Sequence, residues 1–62
     1  MKIKSITVVS DGCDAHAIIR YFNGPTQVVD ALECCIGQLI NDSGLTLRLS
    51  HISYGDEFYF YE

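Results

Sequence analysis

Two Asp/Gly dipeptides, Asp11-Gly12 and Gly55-Asp56, constrain this chain most, because each falls between two runs rich in β-branched, aromatic or alternating apolar residues. Gly accepts the positive φ of a two-residue hairpin loop and Asp tolerates it, so each dipeptide predicts two antiparallel strands joined tightly. The first hairpin is expected over Ile3–Val9 and Cys13–Phe22, the second over Leu45–Ser53 and Phe58–Glu62. Counting outward from Asp11-Gly12 sets Val8 opposite Ala15 and Ile6 opposite Ala17 on a buried face shared with Ile19. From Gly55-Asp56, Phe58 falls opposite Ser53 and Phe60 opposite His51. Both Phe side chains then turn inward with Leu47 and Leu49, which leaves Tyr59 and Tyr61 outside.

Between the hairpins, Asn23-Gly24-Pro25 breaks the second strand, and Pro suits the first turn of a helix, where its missing N–H would be unpaired anyway. Val28, Val29, Leu32, Cys35, Ile36, Leu39 and Ile40 recur at spacings of three and four, which predicts one helix with an apolar stripe toward the sheet. Asp42-Ser43-Gly44 ends it, with Gly44 in the left-handed position. The reading is a single α+β domain over residues 1–62, a two-layer ββαββ arrangement. Its first and fourth strands are the most apolar on both faces and are expected in the middle, giving a four-stranded sheet of order 2-1-4-3 with the helix across one face. The central pair is then parallel, joined by a right-handed crossover.

This element order resembles the β-grasp fold, in particular the small immunoglobulin-binding domains of the protein G kind, and Asn41-Asp42-Ser43-Gly44 resembles the turn after the helix there. The resemblance is topological, and no immunoglobulin-binding residue carries across. A ubiquitin-like carrier of that fold would end in Gly-Gly, whereas this chain reads Phe60-Tyr61-Glu62, so carrier chemistry is not expected. A β-grasp ferredoxin would need four cluster-ligating cysteines, and this chain has three.

Eight acidic against four basic side chains give a net charge of −4. That balance argues against direct nucleic-acid binding, which needs many Lys and Arg on the phosphates, but it suits a protein partner with a basic, nucleic-acid-binding groove. No apolar run approaches the roughly 20 residues of a membrane span, and Met1-Lys2-Ile3-Lys4 does not lead into a signal-peptide core. A cytoplasmic protein with reduced thiols is expected, in the host cytoplasm if it is phage-encoded. Cys13 stands apart in sequence, and adjacent Cys34 and Cys35 do not make the Cys-x-x-Cys arrangement that tunes a thiol. Cys35 is expected in the helix stripe and Cys34 at its edge.

Asp14 and His16 lie two apart on one strand face and could open a metal or acid-base site, but no third ligand accompanies them. His51 reads as a hydrogen-bonded histidine at the core margin, and Asp56-Glu57 as turn chemistry. No catalytic residue, metal site or cofactor is expected.

The feature that points to function is the sheet face away from the helix, where Tyr59, Tyr61, Ile52 and Arg48 from the second hairpin would join Ile3, Thr7, Val9, Ile18 and His16 from the first. Tyr, Ile and Arg supply large contact area with few torsions to freeze and are enriched in interfaces. With Asp56 and Glu57 at the adjoining turn, they form the expected partner-binding set. The leading reading is a small acidic inhibitor that occludes a site on a larger protein. In size, charge and lack of catalytic motif it resembles the anti-CRISPR and host-takeover proteins of phages. The alternative is a homodimeric scaffold subunit joined through the bare face or an edge strand.

Overall fold

The computed structural model describes residues 2–53 and 55–62, and its elements run β1 (Ile3–Ser10), β2 (Asp14–Tyr21), β3 (Gln27–Leu32), α1 (Glu33–Ser43), β4 (Leu47–Ser53) and β5 (Asp56–Tyr61). All five strands form one antiparallel sheet of order β3-β2-β1-β5-β4 with α1 on one face. The α+β class stands; the four-stranded 2-1-4-3 sheet with a parallel centre is overturned.

One segment accounts for the difference. Val28, Val29 and Leu32 share helical spacing with Ile36, Leu39 and Ile40, yet residues 27–32 are a strand, with Val29 opposite Ala17 and Asp30 opposite His16 on β2. Two adjacent β-branched valines are stiff at χ1 and favour a pleated strand over a helix. Pairing also covers the outer edge of β2, whose backbone groups would otherwise face solvent. The extra strand returns the chain to the end where the β1–β2 turn lies, so α1 and β4 run in the reverse of the expected directions. β5 therefore lies antiparallel beside β1, Val8 opposite Tyr59, and the central parallel pair of a β-grasp fold is not formed.

The first hairpin slips by two residues from the expected register. Ser10 pairs with Ala15, Val8 with Ala17 and Ile6 with Ile19, because Cys13 belongs to the loop rather than to β2. The Asp11 N–H donates to the Asp14 carbonyl at 3.2 Å, and Gly12 takes φ 109°, open to Gly alone. A slip of two leaves every side chain on its expected face, since the strand period is two.

α1 begins where β3 ends, and its Glu33 N–H donates to the Cys13 carbonyl at 3.0 Å. It ends at Gly44, φ 74°, whose N–H donates to the Asn41 carbonyl. Ile36 is its one buried residue and joins Ile6, Val8, Ala15, Ala17 and Ile19 in the core, the two alanines of β2 leaving room for it. Leu39 and Ile40 are half-buried, while Cys34 and Cys35 are both exposed, so Cys35 does not join the apolar stripe. At 11 residues the helix is only about 16 Å long, and it packs over β1, β2 and β3.

The second hairpin presents the opposite faces to those expected. Tyr59 and Tyr61 sit opposite Val8 and Ile6 on the helix side, half-buried, whereas Phe58 and Phe60 sit opposite Val9 and Thr7 on the open side. His51 and Leu49 are likewise on the open side and exposed, His51 in tilted contact with Phe58 at 6.5 Å between ring centroids. The expected core places of His51, Leu49 and the two Phe are thereby corrected. The physical reason is the reach of the helix: α1 leaves β5 at a wet rim, where a Tyr ring can bury its body and keep its hydroxyl in water, as Phe cannot. An irregularity at Arg48 also breaks the alternation of β4, so Leu47 pairs with Tyr61 and Leu49 with Phe60 on opposite faces.

Candidate interaction surfaces

The expected partner-binding set does not stay together. Tyr59 and Tyr61 floor a groove against α1 that Val8, Ile36, Gly37 and Ile40 complete, so they leave the open face. The Tyr59 hydroxyl donates to the Glu57 carboxylate at 2.5 Å; that carboxylate holds the phenol pKa up at about 12. Arg48 lies at the irregularity near the start of β4. Ile52, Asp56 and Glu57 lie at the other end of the hairpin.

That end is where the topology gathers charge. The β1–β2 turn, the close of β3, the start of α1 and the start of β5 all meet there, bringing Asp11, Asp14, Asp30, Glu33, Asp56 and Glu57 into one half of the molecule. The remaining acids, Asp42 and Glu62, and all four basic residues, Lys2, Lys4, Arg20 and Arg48, lie in the other half. The domain is therefore polarised along its strands. An open hollow of about 440 Å³ crosses the acidic end, lined by Ser10, Gly12, Glu33, Ile52, Gly55 and Glu57. Buried Ser10 donates its hydroxyl to Glu33 at 3.3 Å and fixes that carboxylate at the rim. The acids were legible in the sequence as candidates for meeting a basic groove, but that Glu33 shares a hollow with Glu57 has no local signal, since the two positions lie far apart in the chain.

The open face carries Thr7, Val9, Ile18, Val28, Phe58, Phe60 and Leu49 with a few polar groups. Arg20 donates to the Thr7 hydroxyl at 3.0 Å, and His16 hydrogen-bonds Asp30. The Asp30 carboxylate, by that bond and its charge, raises the His16 pKa above its ordinary value. Asp14 belongs to the same shallow hollow as His16 and Asp30. Among the described residues no three His, Cys, Asp or Glu side chains converge as metal ligands. The Cys35 thiol is raised by its hydrogen bond to Cys34, the direction opposite to that of a reactive thiolate.

No protein-family model matches the chain, and searches of curated proteins and of solved structures find no significant similarity. The fold and its surfaces define a class by geometry alone: an α+β domain with one short helix on a five-stranded antiparallel sheet, with an acidic end. No helix among the described residues is long and apolar enough to cross a membrane.

Proposed function

We propose that this protein is a small acidic binding module that docks its acidic end on a basic site of a larger protein, one that handles nucleic acid, and blocks that site. The observation that carries the reading is the segregation of charge: Asp11, Asp14, Glu33, Asp56 and Glu57 share one end while every Lys and Arg lies toward the other. A one-sign patch of this kind steers association with a basic groove and offers carboxylates where phosphates would sit. Ile52, exposed beside the acidic hollow, adds an apolar contact next to the charge. Inhibition by occlusion needs no catalytic group.

The test is a nuclease-treated pull-down from the source cell, comparing the native chain with a Glu33→Gln/Asp56→Asn/Glu57→Gln variant of confirmed fold. The expected result is one specific partner that salt elutes, that nucleic acid competes away and that the neutralised variant fails to retain. A partner held equally by both chains overturns the docking surface.

A further inference from the structure

We propose that β4 is a self-association edge through which two copies pair antiparallel about a two-fold axis at Ser50, joining their sheets into one. This goes beyond the docking of the acidic end and does not depend on it.

Among the described residues β4 is bound by β5 on one side only, so its other side presents a row of backbone N–H and C=O groups. Natural edge strands are usually guarded by Lys, Pro, inward charge or a covering element. The other edge, β3, has such guards: Asp30 lies within it, Pro25 stands just before it, and α1 follows it directly. β4 reads Leu47-Arg48-Leu49-Ser50-His51-Ile52-Ser53, with neither Pro nor acid, and its one charge sits at the irregularity near its start.

Its side chains are apolar on both faces. Leu47 and Ile52 lie on the helix side at 46% and 74% exposure, beyond the reach of α1; Leu49, at 64%, lies on the open side opposite Phe60, and Phe58, at 38%, shares that face opposite His51. A strand apolar on both faces is the pattern of a sheet interior, and here it stands at an edge.

Charge identifies the occupant as a second copy. A chain of net charge −4 repels itself wherever acid meets acid, and β4 contains none. Antiparallel pairing centred on Ser50 sets Leu49 against His51 and Arg48 against Ile52 of the second copy, so no like charges meet. It also lays the polarised halves head to tail: Asp56 and Glu57 of each copy come beside the half of the other that holds all four basic residues, Arg48 among them, against two acids, Asp42 and Glu62. A seam of this kind falls at the low end of interface sizes, below about 1,200 Å² in total, which makes the association reversible.

Sedimentation equilibrium from about 10 µM to about 1 mM at low salt tests the seam. The native chain is expected to show reversible monomer–dimer exchange. Ser50 is exposed and faces its own copy across the axis, so Ser50→Lys and Ser50→Glu should each weaken the dimer by about tenfold or more. An equimolar mixture of the two variants should restore it as a heterodimer. Amide exchange of the unmodified chain gives an independent reading: β4 amides should gain protection as concentration rises, while β3 amides should not. A native chain that stays monomeric throughout, charge variants that dimerise unchanged, or protection that rises at β3 instead would each overturn the proposal.

Discussion

His16 on β2 and Asp30 on β3 face each other directly across the strand pair, and the imidazole Nδ1–H donates to the Asp30 carboxylate on the open face of the sheet. The carboxylate favours the imidazolium, so the His16 pKa is raised above 6.5. A raised folded value means stability that is fully present below the unfolded pKa and lost as pH rises through the folded one. What the pair contributes to holding β3 is therefore fully present below pH 6.5 and lost as pH rises through the raised folded value. A proton NMR titration of His16 should give a midpoint above 6.5, and Asp30→Asn should bring it back toward that value. A midpoint unchanged by Asp30→Asn would dissolve the pair.

The phenol of Tyr59 makes the same argument at alkaline pH. Its hydrogen bond to Glu57 raises it from 10.0 to about 12, so what the bond contributes is present below pH 10 and lost as pH rises through about 12. Spectrophotometric titration of tyrosinate should show a component ionising at about 12 that Tyr59→Phe removes. Glu57→Gln should bring Tyr59 back toward 10.0. If the late component persists in Glu57→Gln, Tyr59 is held by something other than this carboxylate.

Much of the fold was legible because the relevant signals are local. Alternation places Ile6, Val8, Ala17 and Ile19 on the buried face even with the hairpin register slipped by two, and Gly44 marks the end of α1 by the backbone angle it permits. Residues 27–32 were ambiguous: Val28, Val29 and Leu32 satisfy both a helical stripe and a strand, and only the pairing with β2 decides. Phe58-Tyr59-Phe60-Tyr61 has no polar phase, so period two alone cannot say which pair faces the helix. That choice depends on how far α1 reaches, a tertiary fact. The acidic end was legible as composition but not as a place, since Asp11, Glu33 and Asp56 come to one end only through the topology.

Strand or helix at residues 27–32 also decides what a core substitution does. Ile36, at 2% exposure, is the only buried residue of α1, so Ile36→Ala should cost about 2–5 kcal/mol through lost burial and the cavity left behind. A core of this size rarely supplies more than about 3–5 kcal/mol, so the variant should be largely unfolded by circular dichroism. Val28 sits on the open face of β3, where Val28→Thr should move stability by no more than about 0.5 kcal/mol. Equal losses at both positions in urea titrations would restore the single helical stripe and refute β3.

Two glycines of the helix segment should respond to alanine with opposite sign. Gly37 lies within α1, and beyond its chain neighbours and the helix's own backbone nothing comes within 4 Å of where a Cβ would stand, so Gly37→Ala should stabilise by about 0.5–1 kcal/mol, by restricting the unfolded chain and favouring helix. Gly44 has equally open space but φ +74°, where an L side chain meets its own backbone, so Gly44→Ala should cost about 1–2 kcal/mol. Since space is the same at both sites, the difference isolates backbone conformation as the cause. Urea midpoints of the two variants and the native chain check it at once. A loss at Gly37 would mean that the groove it lines beside Tyr59 and Tyr61 cannot take a methyl group; a gain at Gly44 would mean that α1 does not end in a left-handed turn.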